Sequence, residues 1–160
     1  MANVLDVARY IINYSNEKCY GVSNLRLQKL LYFVQAYYLA FTEKHEPCFD
    51  AAIEAWDFGP VVPEVYREFK RYGSGNIPSV ESYLAFPENE MWAVKRVKFN
   101  PDVICQDDRE RINNIVDGFS GFSTTALVEI THNQTPWKKA RSAKGKIITV
   151  DSMKEYFVKQ

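Results

Sequence analysis

The stretch Ser23-Asn-Leu-Arg-Leu-Gln-Lys-Leu-Leu-Tyr-Phe-Val-Gln-Ala-Tyr-Tyr-Leu-Ala-Phe-Thr42 decides the fold. Ser23 suits an N-cap, because its hydroxyl can accept from an orphan N–H of the first turn. No Gly or Pro follows, so a helix is predicted from Asn24 to about Thr42. From Leu30 to Phe41 its residues are apolar on every side, broken only by Gln35. Such a helix belongs at the centre of a fold, since one-sided packing would strand a Tyr or Phe in water. As a helix that run is about 18 Å long against the ~30 Å core of a bilayer, which makes it a buried core helix and not a membrane span.

The other elements are then read as what surrounds it. Upstream, Asn3 can cap a helix with Val4, Val7, Ala8, Ile11 and Ile12 on one side and Asp6, Arg9 and Asn13 on the other. Cys19-Tyr-Gly-Val22 reads as a turn. Downstream, Ala52 to Phe58 alternates as a short strand stopped by Gly59-Pro60, with Glu54 on the same face as Trp56 at an edge or facing solvent. Pro63 opens a third helix that Gly73 closes. Residues 73–90 read as an irregular surface excursion, and Met91 to Phe99 as a strand. Asp107 with Glu110 resembles a capping box before Ile112, Ile115, Val116 and Phe119, and Ser123 caps a further helix. Thr135-Pro136 opens a short helical turn, Ile147 to Val150 forms a last strand, and Ser152 with Glu155 reads as a capping box before a terminal helix. The expected class is α+β, a helix-rich single domain over residues 1–160 with a small sheet around the central helix.

Composition excludes classes without naming a function. A chain of 160 residues, 46% hydrophobic and 14% aromatic, is globular and neither disordered nor collagen-like. Twenty basic residues balance twenty acidic ones, so global charge gives no reason to expect nucleic acid or a membrane surface as main partner. Three cysteines, Cys19, Cys48 and Cys105, without a CxxC pair, point to a reducing cytoplasm. Asp6 and Arg9 interrupt any secretory h-region.

The sequence carries few motifs with chemistry. Gly73-Ser-Gly75 follows a predicted helix, whereas a phosphate loop joins a strand to a helix N-terminus. Gly118-Phe-Ser-Gly121 lacks the register and the preceding strand of a nucleophile elbow. His45-x-x-Cys48 is half of a zinc spacing whose second pair is missing. A catalytic Cys/His pair stays open, because its members need only meet in space. No catalytic residue, metal or cofactor is assigned. The one charge asymmetry is Lys138, Lys139, Arg141, Lys144 and Lys146, with no acid from residue 130 to 150. These cations suit a solvated helix end, an acidic protein face or phosphates.

Three stretches in order carry a resemblance: Leu25-Arg-Leu-Gln-Lys-Leu-Leu-Tyr-Phe-Val-Gln35, Glu54-Ala-Trp-Asp-Phe-Gly-Pro-Val-Val-Pro-Glu-Val-Tyr66 and Thr131-His-Asn-Gln-Thr-Pro-Trp137. Together they resemble the Panacea domain of SocA-like antitoxins. The resemblance implies a helix-rich fold and the antitoxin of a bacterial, prophage or phage toxin–antitoxin pair, which neutralises its toxin by direct binding. It leaves open whether the toxin is blocked or handed to a cellular protease. It supplies no catalytic residues. Gln28 and His132 are expected as satisfied buried polar groups, Gly59-Pro60 as a strand-to-helix turn and Trp137 as core. On residue type, Trp56, Tyr66, Lys138, Lys139 and Arg141 are the candidate toxin contacts, since interfaces favour aromatics and Arg. The alternative function is a nucleic-acid-binding regulator using the 138–146 cluster.

Overall fold

The computed structural model describes residues 1–87 and 92–159. The helices are α1 (Val4–Glu17), α2 (Asn24–Phe41), α3 (Pro63–Phe69), α4 (Gln106–Gly118), α5 (Thr124–His132), α6 (Thr135–Arg141) and α7 (Val150–Val158). The strands are β1 (Ile53–Trp56), β2 (Gly59–Val61), β3 (Ser82–Ala85), β4 (Lys95–Lys98) and β5 (Ile147–Ile148). This is the helix-rich α+β class with a small sheet. Helix α2 is its axis: α1, α3, α4, α5, α7 and β2 all pack on it. Its buried residues run from Asn24 to Leu39 and surround the middle of the helix, but the last turn is not enclosed as expected: Phe41, tilted against half-buried Tyr37, is 66% exposed because among the described residues no element packs on that side of the helix end. Among the described residues no helix is long and apolar enough to cross a membrane.

The polar groups that α2 takes into the core are used as clamps. Gln35 accepts from Cys48 N at 2.9 Å and donates to Phe49 O at 2.9 Å, fixing the chain that leads to the sheet. Tyr32 donates to Gln134 Oε1 at 2.7 Å between α5 and α6. Buried amides and hydroxyls are costly unless paired, so each such bond also fixes one register of packing.

Strand order in the main sheet is β2-β1-β5, all antiparallel, with Ala55 opposite Pro60 and Ile53 opposite Ile148. Gly59-Pro60 is therefore not a strand-to-helix turn. The reversal is made by Asp57-Phe58, and Gly59 and Pro60 already belong to β2, an edge strand where the missing proline N–H breaks no ladder bond. β1 is the central strand, so Glu54 does not sit at an edge.

Other expectations shift by a few residues. The irregular region 73–90 contains β3, which pairs with β4 from Ser82–Lys98 to Ala85–Lys95; Glu88 to Met91 lie outside the described residues. Helix α4 starts at Gln106 after Cys105, which makes no side-chain capping bond, so Asp107 is not the cap. Thr149 caps α7 by accepting from Ser152 N at 3.1 Å, which displaces Ser152 from that role and ends β5 at Ile148. Arg9 is buried instead of solvent-facing: Asp6 pairs with it at 2.9 Å and Tyr83 of β3 covers its guanidinium at 3.4 Å. The caps Asn3, Ser23 and Ser123 stand as expected.

Candidate functional site

The three sequence stretches converge on the β1–β2 hairpin. Adjacent residues of α2 hold its second strand: Lys29 Nζ donates to Pro60 O at 2.9 Å, and Gln28 Oε1 accepts from Val62 N at 2.9 Å. Gln28 Nε2 donates to Asn24 Oδ1 at 2.8 Å, and Asn24 donates to Tyr66 O at 3.1 Å, so the start of α3 is tied to the same helix. Gln28 is 1% exposed and both its amide oxygen and its amide nitrogen are hydrogen-bonded. Lys29, which sequence reading did not single out, is 0% exposed. Burial disfavours its charged form and lowers its pKa to about 7.

Gly59 is required here. Its φ is +106°, and a Cβ would lie 2.7 Å from Lys29 Cε and 2.9 Å from Thr131 Oγ1. From the other side, Trp137 Nε1 donates to Trp56 O at 2.9 Å, and the Trp137 ring stacks on His132 with centroids 4.1 Å apart. Trp137 is half-buried and packs against the core. His132 is not fully satisfied as expected: its Nε2 is buried without a hydrogen-bond partner. Arg141 bonds Asp57 at 2.8 Å and Ala55 O at 3.3 Å. It is not one of five unopposed cations, because the hairpin turn supplies its carboxylate. Lys138, Lys139, Lys144 and Lys146 are exposed, and Ala55 N donates to Lys146 O at 2.8 Å, closing β5 onto β1.

What this frame displays is a groove of about 560 Å³ lined by Leu25, Glu54, Trp56, Phe58, Tyr66 and Lys146, among others. Trp56 and Tyr66 meet edge-to-face at 5.0 Å, each half-buried, and Phe58 at the hairpin turn is 67% exposed. Trp56 Nε1 comes only to 3.5 Å of Glu54 Oε1. The site therefore offers apolar area with few polar handles, a surface for binding by shape. It brings together Trp56, Tyr66 and Arg141 and leaves Lys138 and Lys139 outside its lining.

A second cavity of about 630 Å³ holds Tyr37, Tyr38, Cys48, Cys105, Asp108 and Arg111. Burial there raises Asp108, but hydrogen bonds from Tyr38, Cys105 and Arg111 more than offset it and hold the carboxyl below its usual range. Burial pushes the Cys48 thiol up to about 12, which keeps it protonated and unreactive. His45 Nδ1 lies 2.9 Å from Leu39 O. Among the described residues no three His, Cys, Asp or Glu side chains stand together to hold a metal.

The chain is 34% identical over 117 residues to Antitoxin SocA of Caulobacter vibrioides (strain NA1000 / CB15N), a match covering 72% of this chain and 58% of that relative. The chain thus spans less than two thirds of the relative's length. No solved structure matches. Residues 27–138 match the family described as Antitoxin SocA-like, Panacea domain. That segment contains Gln28, Lys29, Gly59, Pro60 and Trp137 of the hairpin frame, and a match over so much of the chain shows that the chain belongs to the SocA-like Panacea family.

Proposed function

We propose that this chain, as one Panacea domain, is the antitoxin of a bacterial or prophage toxin–antitoxin pair. It acts in the cytoplasm, without turnover, by gripping its toxin in the groove of Trp56, Phe58 and Tyr66. Family membership supports the antitoxin role. The single observation that carries the binding site is the pair Trp56–Tyr66 held at the mouth of an apolar groove beside the exposed Phe58. Large rings that lose water against a partner contribute most to an interface. The frame beneath them is rigid, since Lys29, Gln28, Trp137 and Arg141 each fix the hairpin by a separate bond. Little ordering is then left for binding to cost. The nucleic-acid reading of residues 138–146 is the weaker one, because Arg141 is taken up by Asp57.

Co-expression with the neighbouring gene tests the reading. Growth restored together with a co-purifying stoichiometric complex is the expected result. Growth restored without a complex, or by a catalytic amount of this chain, overturns it.

A further inference from the structure

A second surface lies on the β3–β4 hairpin. Trp92 is 86% exposed and Phe86 66%, and Leu84 and Val94 beside them are exposed as well. Register pairs Leu84 with Arg96 and Ser82 with Lys98, so strand alternation puts these four on one face. Tyr83 takes the other face and covers Arg9. A groove of about 380 Å³ runs from the hairpin to the end of α3, and Leu84, Phe86, Arg96, Arg71 and Glu68 are among its lining. None of its lining residues belongs to the Trp56 groove.

The charges of this groove are set for an anion. Arg96 donates to Ser82 Oγ at 2.9 Å and Arg71 to Tyr72 Oη at 2.9 Å, so a side-chain hydroxyl orients each guanidinium. Among the described residues neither meets a carboxylate within ion-pair distance, whereas Arg9, Arg109, Arg111 and Arg141 all do. Lys95 and Lys98 add exposed charge on β4. A planar guanidinium with free donors matches a carboxylate two bonds at a time.

From this juxtaposition of oriented guanidinia with exposed Leu84, Phe86, Val94 and Trp92 we infer that the described strands of the hairpin form a second docking surface, for an acidic protein segment with apolar anchors. Such a segment places carboxylates on Arg71 and Arg96 and apolar side chains on the rings. A nucleic acid fits less well: Glu68 stands in the groove and the chain carries no net charge to draw a polyanion. A bilayer would use the rings but leave the Arg71 side of the groove unfilled.

The test is amide chemical-shift mapping on the full chain with an acetylated peptide alternating Glu with Leu and Phe. Its controls are the same peptide with Lys for Glu, an oligothymidine, and vesicles of phosphatidylcholine with phosphatidylserine. The expected result is shifts at Ser82–Ala85 and Lys95–Lys98 for the acidic peptide only. They weaken with salt and leave Trp56 and Tyr66 unmoved. Arg96→Glu, an exposed substitution, lowers that affinity about tenfold, and Trp92→Ala weakens it independently. The inference is overturned if the hairpin does not respond, if the Lys peptide acts equally, or if neither substitution alters the affinity. It is also overturned if oligothymidine or vesicles shift the hairpin and the acidic peptide does not. These outcomes are independent of toxin capture by the Trp56 groove.

Discussion

Lys29 Nζ donates to the Pro60 carbonyl at 2.9 Å in a place that water does not reach. Proline leaves this edge strand without an N–H, and its outward carbonyl is met by the end of a lysine that the helix carries inside. The bond joins two of the family's stretches, and it has a cost, since an ammonium group is kept out of water.

That cost sets a pH dependence. Lys29 titrates near 7 when folded and at its ordinary, higher value when unfolded, so between those values the unfolded chain binds the extra proton. Stability should therefore rise as pH is raised from about 7 to 9, and be insensitive to Lys29 below that window. Above about 9 the trend reverses: Cys48 and Tyr14, both raised to about 12 in the folded state, add stability that is lost as the unfolded chain ionises. Urea denaturation across this range measures the curve, and Lys29→Met should flatten its rising limb. An identical limb in that variant would show that Lys29 is not the group.

Gly59→Ala should lower stability by more than about 2 kcal/mol, because it adds backbone strain at a positive φ to overlap with Lys29 and Thr131. A change within about 0.5 kcal/mol in the same assay would mean the hairpin relaxes away from α2 at no cost.

The basic run should divide in two. Arg141→Glu sets like charges against Asp57 and removes a donor from Ala55 O, so its melting temperature should fall. Lys138→Glu and Lys139→Glu, on exposed positions, should stay within about 0.5 kcal/mol of the parent. Equal behaviour of all three would return Arg141 to the solvated cluster.

The central helix was legible because the run from Leu30 to Leu39 is apolar on all sides but for Gln35, and the caps Asn3, Ser23 and Ser123 were legible because capping is local. What escaped was non-local. A lysine within a helical pattern reads as solvated, and only the carbonyl of Pro60, far along the chain, explains why Lys29 goes inside. Gly-Pro reads as a stop, yet the reversal had already been made by Asp57-Phe58 and the edge position makes proline harmless. Arg141 looked unopposed because its acid lies in another stretch. At the site, residue type pointed to Trp56 and Tyr66 but missed Phe58, whose signal was its place in a hairpin turn next to them.

The claim that the groove is the toxin-binding surface is tested most directly by the affinity of purified chain for its toxin with and without Phe58→Glu. Phe58 is 67% exposed, so the substitution leaves the fold and the melting temperature unchanged while placing a carboxylate where the account needs apolar contact. The account predicts at least about a hundredfold loss of affinity, the loss of one anchor side chain. Unchanged affinity in a folded Phe58→Glu chain would contradict it.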